Sequence, residues 1–339
     1  MLASDIIRRV KEIQVRTGRQ VADVLAGEYV SVFKGSGVEF EEVRPYVVGD
    51  DVRSIDWNVT ARAGAPFVKR YVEERQLTLM LMADVSASQD FGSGTRTKRE
   101  ATAELCALLA FCATRNDDKV GLALFHGAIE TYIPPRKGHR HAQRVVREVL
   151  AHSTERDDNS GASDNPEKLD RKATSTLAFR GGLSKFLQAL VSRKTQRLRP
   201  AKQSTDIAGA MAFLLSVTKR RTVCFVVSDF IDDEFERALS MANRRHDVIA
   251  VLITDPREFD VPQVGLINLR DAETNVSRVY DTSSKAFCDA LAQAAQKRVH
   301  DLEQRLRRRG IDFIHVDISN DTVEPLVAFF RMRGRRTRR

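Results

Sequence analysis

Three observations predict an α/β chain built on a doubly wound, mostly parallel sheet. Leu77 to Ala83 is a nearly unbroken apolar run of strand length, the pattern of a central strand buried on both faces. Further apolar runs, at residues 119–125, 222–228 and 248–253, alternate with segments of helical periodicity, the arithmetic of parallel strands joined by crossover helices. Two of these runs also end in an acid, Asp84 and Asp229, and ligands of open α/β sheets bind at the carboxyl ends of strands.

Taken in order, the chain begins with an amphipathic helix over residues 5–18, with Ile6, Val10 and Ile13 on one face and Ser4 or Asp5 as cap. Short extended runs follow, punctuated by turns at Gly35-Ser-Gly37 and Gly49-Asp-Asp51. This stretch holds the only tryptophan, Trp57, among Arg44, Asp50, Asp51, Arg53, Asp56 and Arg62. This many opposite charges around an aromatic suggest a paired, partly buried network, read as a structural clasp onto the main domain in preference to a binding surface. A strand at residues 66–72 leads to the central one.

Beyond Ser88, a helix begins near Lys98 with Ala101, Leu105, Leu108, Leu109 and Cys112 on one face. Strands at residues 119–125 and 129–133 come next. Pro134-Pro-Arg-Lys-Gly138 breaks the chain before a helix carrying Val145, Val146, Val149 and Leu150. Residues 153–175 are rich in Asp, Asn, Ser, Glu and Lys and read as a disordered insertion. Helical periodicity returns at residues 183–191. A turn at Gln203-Ser-Thr-Asp-Ile207 opens a helix through Met211 and Leu214, with Ser204 or Thr205 as its expected cap. A helix at residues 233–243 precedes the strand at 248–253. Two short strands (264–269 and 276–280), a long helix (284–309), a strand (311–316) and a closing helix (322–330) complete the series. The organisation expected is a helix and β-rich clasp over 1–76, the main α/β domain over 77–255, a C-terminal extension over 256–330, and an arginine-rich tail over 331–339.

With 42% hydrophobic and 30% charged residues in 339, the composition is that of a water-soluble chain with a sizeable core. No apolar run approaches the roughly 20 residues of a membrane span. The N-terminus lacks the apolar core of a signal peptide, so a cytoplasmic location is expected. Cys106, Cys112, Cys224 and Cys288 form no C-x-x-C pair and read as reduced, packed residues. Six arginines in the last nine residues account for most of the net charge of +9, so the basicity is assigned to a solvated tail and nucleic acid is not the expected partner.

The chemistry concentrates at Asp84-x-Ser86-x-Ser88. One anionic and two neutral oxygens suit a hard cation such as Mg²⁺, which takes oxygen ligands and keeps positions for water or partner groups. The bland alternative is a polar turn whose serines cap the next helix. The order Asp84-x-Ser86-x-Ser88, Thr205 at a loop-to-helix start and Asp229 after another strand resembles the metal-ion-dependent adhesion site of von Willebrand factor A domains. The segments Gly35-Ser-Gly-Val-Glu-Phe40, Arg44-Pro-Tyr46, Gly49-Asp-Asp-Val-Arg53, Ile55-Asp-Trp57 and Ala61-Arg62 resemble the signature of the bacterial family called domain of unknown function fifty-eight. Arg245-His-Asp-Val-Ile249 and Asp255-Pro-Arg-Glu258 are similar to its later motifs.

The resemblance implies a metal set of Asp84, Ser86, Ser88, Thr205 and Asp229 holding Mg²⁺, Ca²⁺ or Mn²⁺. It also implies a carboxylate from a protein partner as further ligand, a MoxR-type AAA+ ATPase as associate, and a chaperone-like, non-enzymatic role. The rival is Mg²⁺-assisted phosphoryl transfer by Asp84. Against it, Ser86 stands where a second aspartate would help, and no P-loop or G-x-S-x-G is present. A third reading is binding of nucleic acid or an anionic surface through the tail. His139-x-His141 reads as solvated or capping.

Overall fold

A computed structural model describes residue 29 and residues 37–74, 77–94, 96–159, 179–181, 205–232, 235–271 and 276–337. The expected N-terminal helix, most of the polar insertion and the helix at 183–191 lie outside the described residues. Strand β1 (Gly37–Pro45) pairs antiparallel with β2 (Phe67–Glu74). Between them lie a 3-10 turn and the short helix α1 (Trp57–Ala63). Asp56 caps α1 through the Asn58 and Val59 amides, and Gly64 ends it in the left-handed region at φ 69°. Arg44 forks onto Asp50 at 2.7 and 2.9 Å, and Asp50 also accepts the Val47 amide.

The charges thus close on each other and on backbone amides, without the aromatic. Trp57 is 68% exposed and Val48 is 95% exposed, so the aromatic lies outside the paired, part-buried charges.

The main body follows in chain order. Strand β3 (Thr78–Asp84) leads to helix α2 (Lys98–Arg115), then β4 (Lys119–Phe125), β5 (Ile129–Arg136), α3 (His139–Asn159) and the short β6 (Phe179–Gly181). Helix α4 (Ile207–Val217), β7 (Val223–Ser228), α5 (Phe235–Arg245) and β8 (Asp247–Thr254) come next. Strands β9 (Leu266–Asp271) and β10 (Ser277–Asp281), helix α6 (Lys285–Arg308), β11 (Asp312–Asp317) and α7 (Val323–Thr337) complete the described chain.

Six strands form one sheet in the order β11-β8-β7-β3-β4-β5, parallel except for the edge strand β5. This is the doubly wound architecture that the sequence predicts. The period-2 alternation of β3 divides it between two cores. Leu79, Leu81 and Ala83 face α2, α3 and α7, whereas Met80 and Met82 face α4, α5 and α6. Leu79, Met80, Leu81 and Met82 are wholly buried, and burial of each is worth roughly 2 kcal/mol. All four cysteines are buried and free, as expected.

Two elements differ from the sequence reading. Strand β5 runs through Pro134 and Pro135 to Arg136. It is an edge strand, so prolines lacking an N–H can face outward without breaking the ladder. The arginine-rich segment continues α7 to Thr337 and is no free tail. Arg333 bridges Asp247 and Asp312, Arg336 reaches Asp312 at 3.1 Å, and the Arg333 guanidinium lies 6.0 Å from the Phe329 ring centroid.

A candidate metal centre at the carboxyl end of the sheet

Asp84 is the last residue of β3 and Asp229 follows the last residue of β7; these strands are hydrogen-bonded neighbours. Their side chains therefore meet at the carboxyl edge of the sheet. Asp84 Oδ1 accepts the Ser86 amide at 2.8 Å, and Asp84 Oδ2 accepts the Ser228 hydroxyl at 2.8 Å. Ser86 Oγ lies 2.8 Å from Ser88 Oγ, and Ser88 Oγ donates to Asp229 Oδ2 at 2.8 Å. Asp84, Ser86, Ser88, Ser228 and Asp229 are all buried.

The helix-capping alternative fails on geometry. The next helix, α2, is capped by Thr97 in a reciprocal capping box with Glu100. Ser86 stands at the start of a 3-10 turn over Ala87–Asp90 and makes no side-chain cap there. The serines serve the carboxylates instead. Helix α4 is likewise capped by Asp206, which accepts the Gly209 amide at 2.7 Å. Thr205, buried immediately before it, is spared that role.

The Asp206 amide bonds the His126 carbonyl just beyond β4, the strand on the other side of β3, so Thr205 sits at the same edge of the sheet. Among the described residues, no hydrogen bond joins Thr205 to the other four candidates. The structure thus links Asp84, Ser86, Ser88 and Asp229 directly, and brings Thr205 to their edge without a bond.

Burial, and secondarily the charge of Asp229, push the Asp84 carboxyl up to about 7; hydrogen bonds from Ser86 and Ser228 act in the opposite direction. The two buried carboxylates act on each other electrostatically, and a divalent cation there would offset their mutual repulsion. Cations at the back of the site are already committed. Lys98 pairs with Glu258, both buried. Arg298 donates to the Asp229 carbonyl, and burial lowers its pKa against the pull of Asp229 and Glu258. Arg99 binds Asp90 at 2.5 Å. Among the described residues no group of three or more His, Cys, Asp or Glu is arranged as a metal cage. The donor set here is two carboxylates plus neutral hydroxyls, which fits a hard cation that keeps part of its water shell.

Sequence reasoning missed Ser228 and Arg298. Ser228 was legible as a hydroxyl beside Asp229, since the last residue of a buried strand faces one of its neighbours. Arg298 lies mid-way along α6 and carries no local signal. The backbone holds the site under tension. Phe230, directly after Asp229, has φ 50°, a left-handed conformation that a bulky side chain rarely adopts. It is fixed by packing on Phe235, with ring centroids 5.3 Å apart. A third strand-end acid, Asp255 after β8, binds the Ser93 amide and hydroxyl at 2.7 and 2.5 Å. It ties the loop beyond Ser88 to the sheet and is a positioning group.

A Mycobacterium bovis protein named "Uncharacterized protein Mb1516" is 27% identical over 327 residues, covering 96% of this chain and 89% of that protein. Among solved structures, an aerotolerance-related membrane protein from Bacteroides fragilis is 15% identical with a TM-score of 0.42, covering 76% of this chain and 99% of that one. The SpRpn10 VWA domain is 13% identical with a TM-score of 0.30, covering 74% and 94%. The Bacteroides chain is named as a membrane protein, so the expectation of a cytoplasmic location is withdrawn, although no described helix is long and apolar enough to cross a membrane. The family model described as "Protein of unknown function DUF58" matches residues 42–301, more than half of the chain, and the chain belongs to that family.

Proposed function

We propose that the chain is a metal-ion-dependent protein-interaction module without catalysis of its own, acting as adaptor or co-chaperone to a MoxR-type AAA+ ATPase. The observation that supports this most directly is the closed set Asp84, Ser86, Ser88 and Asp229. Two buried carboxylates, Asp84 held by the Ser86 amide and Asp229 by the Ser86–Ser88 hydroxyl pair, stand with serines that cap no helix at the edge where open α/β sheets bind ligands.

In this reading Asp84 and Asp229 supply the charge, and Ser86, Ser88 and Thr205 supply neutral oxygens. A divalent cation held there, Mg²⁺ above all, would offer a coordination position to an Asp or Glu on the partner's surface. Ser228 and the Ser86 amide orient Asp84, and Arg298 fixes the backbone of Asp229.

The test is capture of the purified MoxR-type ATPase of the same organism on the immobilised full chain, in Mg²⁺ or in EDTA. Capture should require both metal and Asp84, and Thr205→Ala should weaken it. Capture that is indifferent to EDTA and to Asp84→Ala would overturn the proposal.

A further inference from the structure

The net charge of +9 is not carried by a loose terminus. Four basic segments far apart in sequence meet at the amino end of the sheet, opposite the Asp84 centre. They are Lys219–Arg221 before β7, Arg244–Arg245 before β8, Arg305–Arg309 before β11, and Arg331–Arg336 at the end of α7. Hydrogen bonds connect them. Arg245 donates to the carbonyls of Leu215 and Lys219 at 3.3 and 3.1 Å. The Asp247 amide bonds the Thr222 carbonyl at 2.9 Å, and Asn243 Nδ2 bonds the Gly310 carbonyl at 2.9 Å. Arg333 draws α7 onto Asp247 and Asp312.

Across residues 219–221, 236, 244–247, 303–312 and 331–336, thirteen Lys and Arg face four Asp and Glu, an excess equal to that of the whole chain. The remainder of the protein is therefore neutral on balance. Twelve of the thirteen bases are exposed. The four acids are all engaged: Glu236 with Arg305 and Arg309, Glu303 with Arg307, and Asp247 and Asp312 with Arg333. Lys219, Arg220, Arg221, Arg244, Arg308 and Arg335 hold no ion pair among the described residues. Asp117 and Asp118 lie at the same end but beside β4, and Asp117 is paired with Lys137 at 2.6 Å.

We propose that this end of the sheet docks on an anionic phospholipid surface. All but one of the bases are arginine, whose planar fork matches phosphate oxygens better than an ammonium does. The segments cover three neighbouring strands and the helices on both faces of them. With strands about 4.8 Å apart and helix layers about 10 Å from the sheet, that is a broad end face rather than a narrow channel. Among the exposed large hydrophobics of the described chain, the one within reach of these segments is Met241, and no aromatic stands there for nucleobases to stack upon. A shallow cavity of about 350 Å³ between Arg331, Arg335 and Arg336 is floored by Ala328 and Met332. It offers guanidinium groups to a headgroup phosphate and an apolar floor to the glycerol carbons beneath.

The test sediments the full chain with vesicles of phosphatidylcholine alone or containing about one-third phosphatidylglycerol, at low and physiological salt. A basic residue near an anionic membrane contributes roughly fivefold to partitioning. Arg220→Gln/Arg221→Gln/Arg308→Gln removes unpaired, exposed guanidiniums from two separate segments, so the thermal midpoint should hold while partitioning into anionic vesicles falls by roughly 100-fold. Arg335→Gln should lose a smaller factor, roughly fivefold. Equal binding to neutral vesicles, or full binding by the triple variant, would overturn the proposal. So would salt-sensitive binding of duplex DNA in place of vesicles.

Discussion

Substituting Asp84→Asn tests what the buried carboxylate pair does to the fold. Burial and Asp229 push the Asp84 carboxyl up to about 7 from an ordinary 3.8. In the native state this group holds its proton to higher pH than in the unfolded chain, so stability falls as pH rises from about 4 through about 7. At ~1.4 kcal/mol per pH unit, the loss by pH 8 is on the order of 4 kcal/mol. Asparagine is the same shape. Its oxygen can accept the Ser86 amide, and its NH₂ can donate to Ser228 Oγ, so both contacts of the carboxylate survive.

In EDTA at pH 8, Asp84→Asn should therefore unfold at a higher urea concentration than the wild type, and the gap should close towards pH 4. Mg²⁺ should then reverse the order, stabilising the wild type by mass action and leaving the variant unchanged. The reasoning fails if the wild type is the more stable protein in EDTA at pH 8. It fails equally if Mg²⁺ stabilises both alike.

Other expectations follow from contacts away from the centre. Arg333→Ala leaves Asp247 and Asp312 facing each other with only the exposed Arg336 between them, and should cost about 2–3 kcal/mol in urea unfolding, less in high salt. Gly121→Ala places a Cβ 2.8 Å from Met80 Sδ and 2.9 Å from the Pro135 ring, so it should destabilise by about 1–3 kcal/mol. Burial holds the His246 ring below its ordinary 6.5, so its share of stability is present above that value and is lost as pH falls through it. His246→Gln should flatten that part of the stability–pH curve. Trp57, at 68% exposure, should show red-shifted emission that acrylamide quenches freely in the native state.

The central strand and its acid were legible because a strand buried on both faces must be apolar throughout, and Asp84 ends that run abruptly. The helices were legible wherever one face packs, as with Ala101, Leu105 and Leu108 of α2. What sequence hid was set by neighbours. Pro134 and Pro135 read as a break because their edge position is a property of the sheet and not of the segment. Arg331 to Thr337 read as a solvated tail because the acids that hold it, Asp247 and Asp312, begin two other strands. The pairing of charges around Trp57 was legible from their mixed signs, but the exposure of the ring was not, because those charges are satisfied by each other and by amides and do not enclose it. At the candidate centre, the alternation Asp84-x-Ser86-x-Ser88 pointed to the chemistry. Ser228 and Arg298 needed the fold to bring them there.

The most direct test of the account is a Mn²⁺ titration of the full, EDTA-treated chain followed by electron paramagnetic resonance, with Mg²⁺ as competitor. The account predicts one saturable site that Mg²⁺ displaces and that Asp84→Asn and Asp229→Asn each abolish. Mn²⁺ that stays free in the wild type, or binds the two variants as tightly, would contradict it.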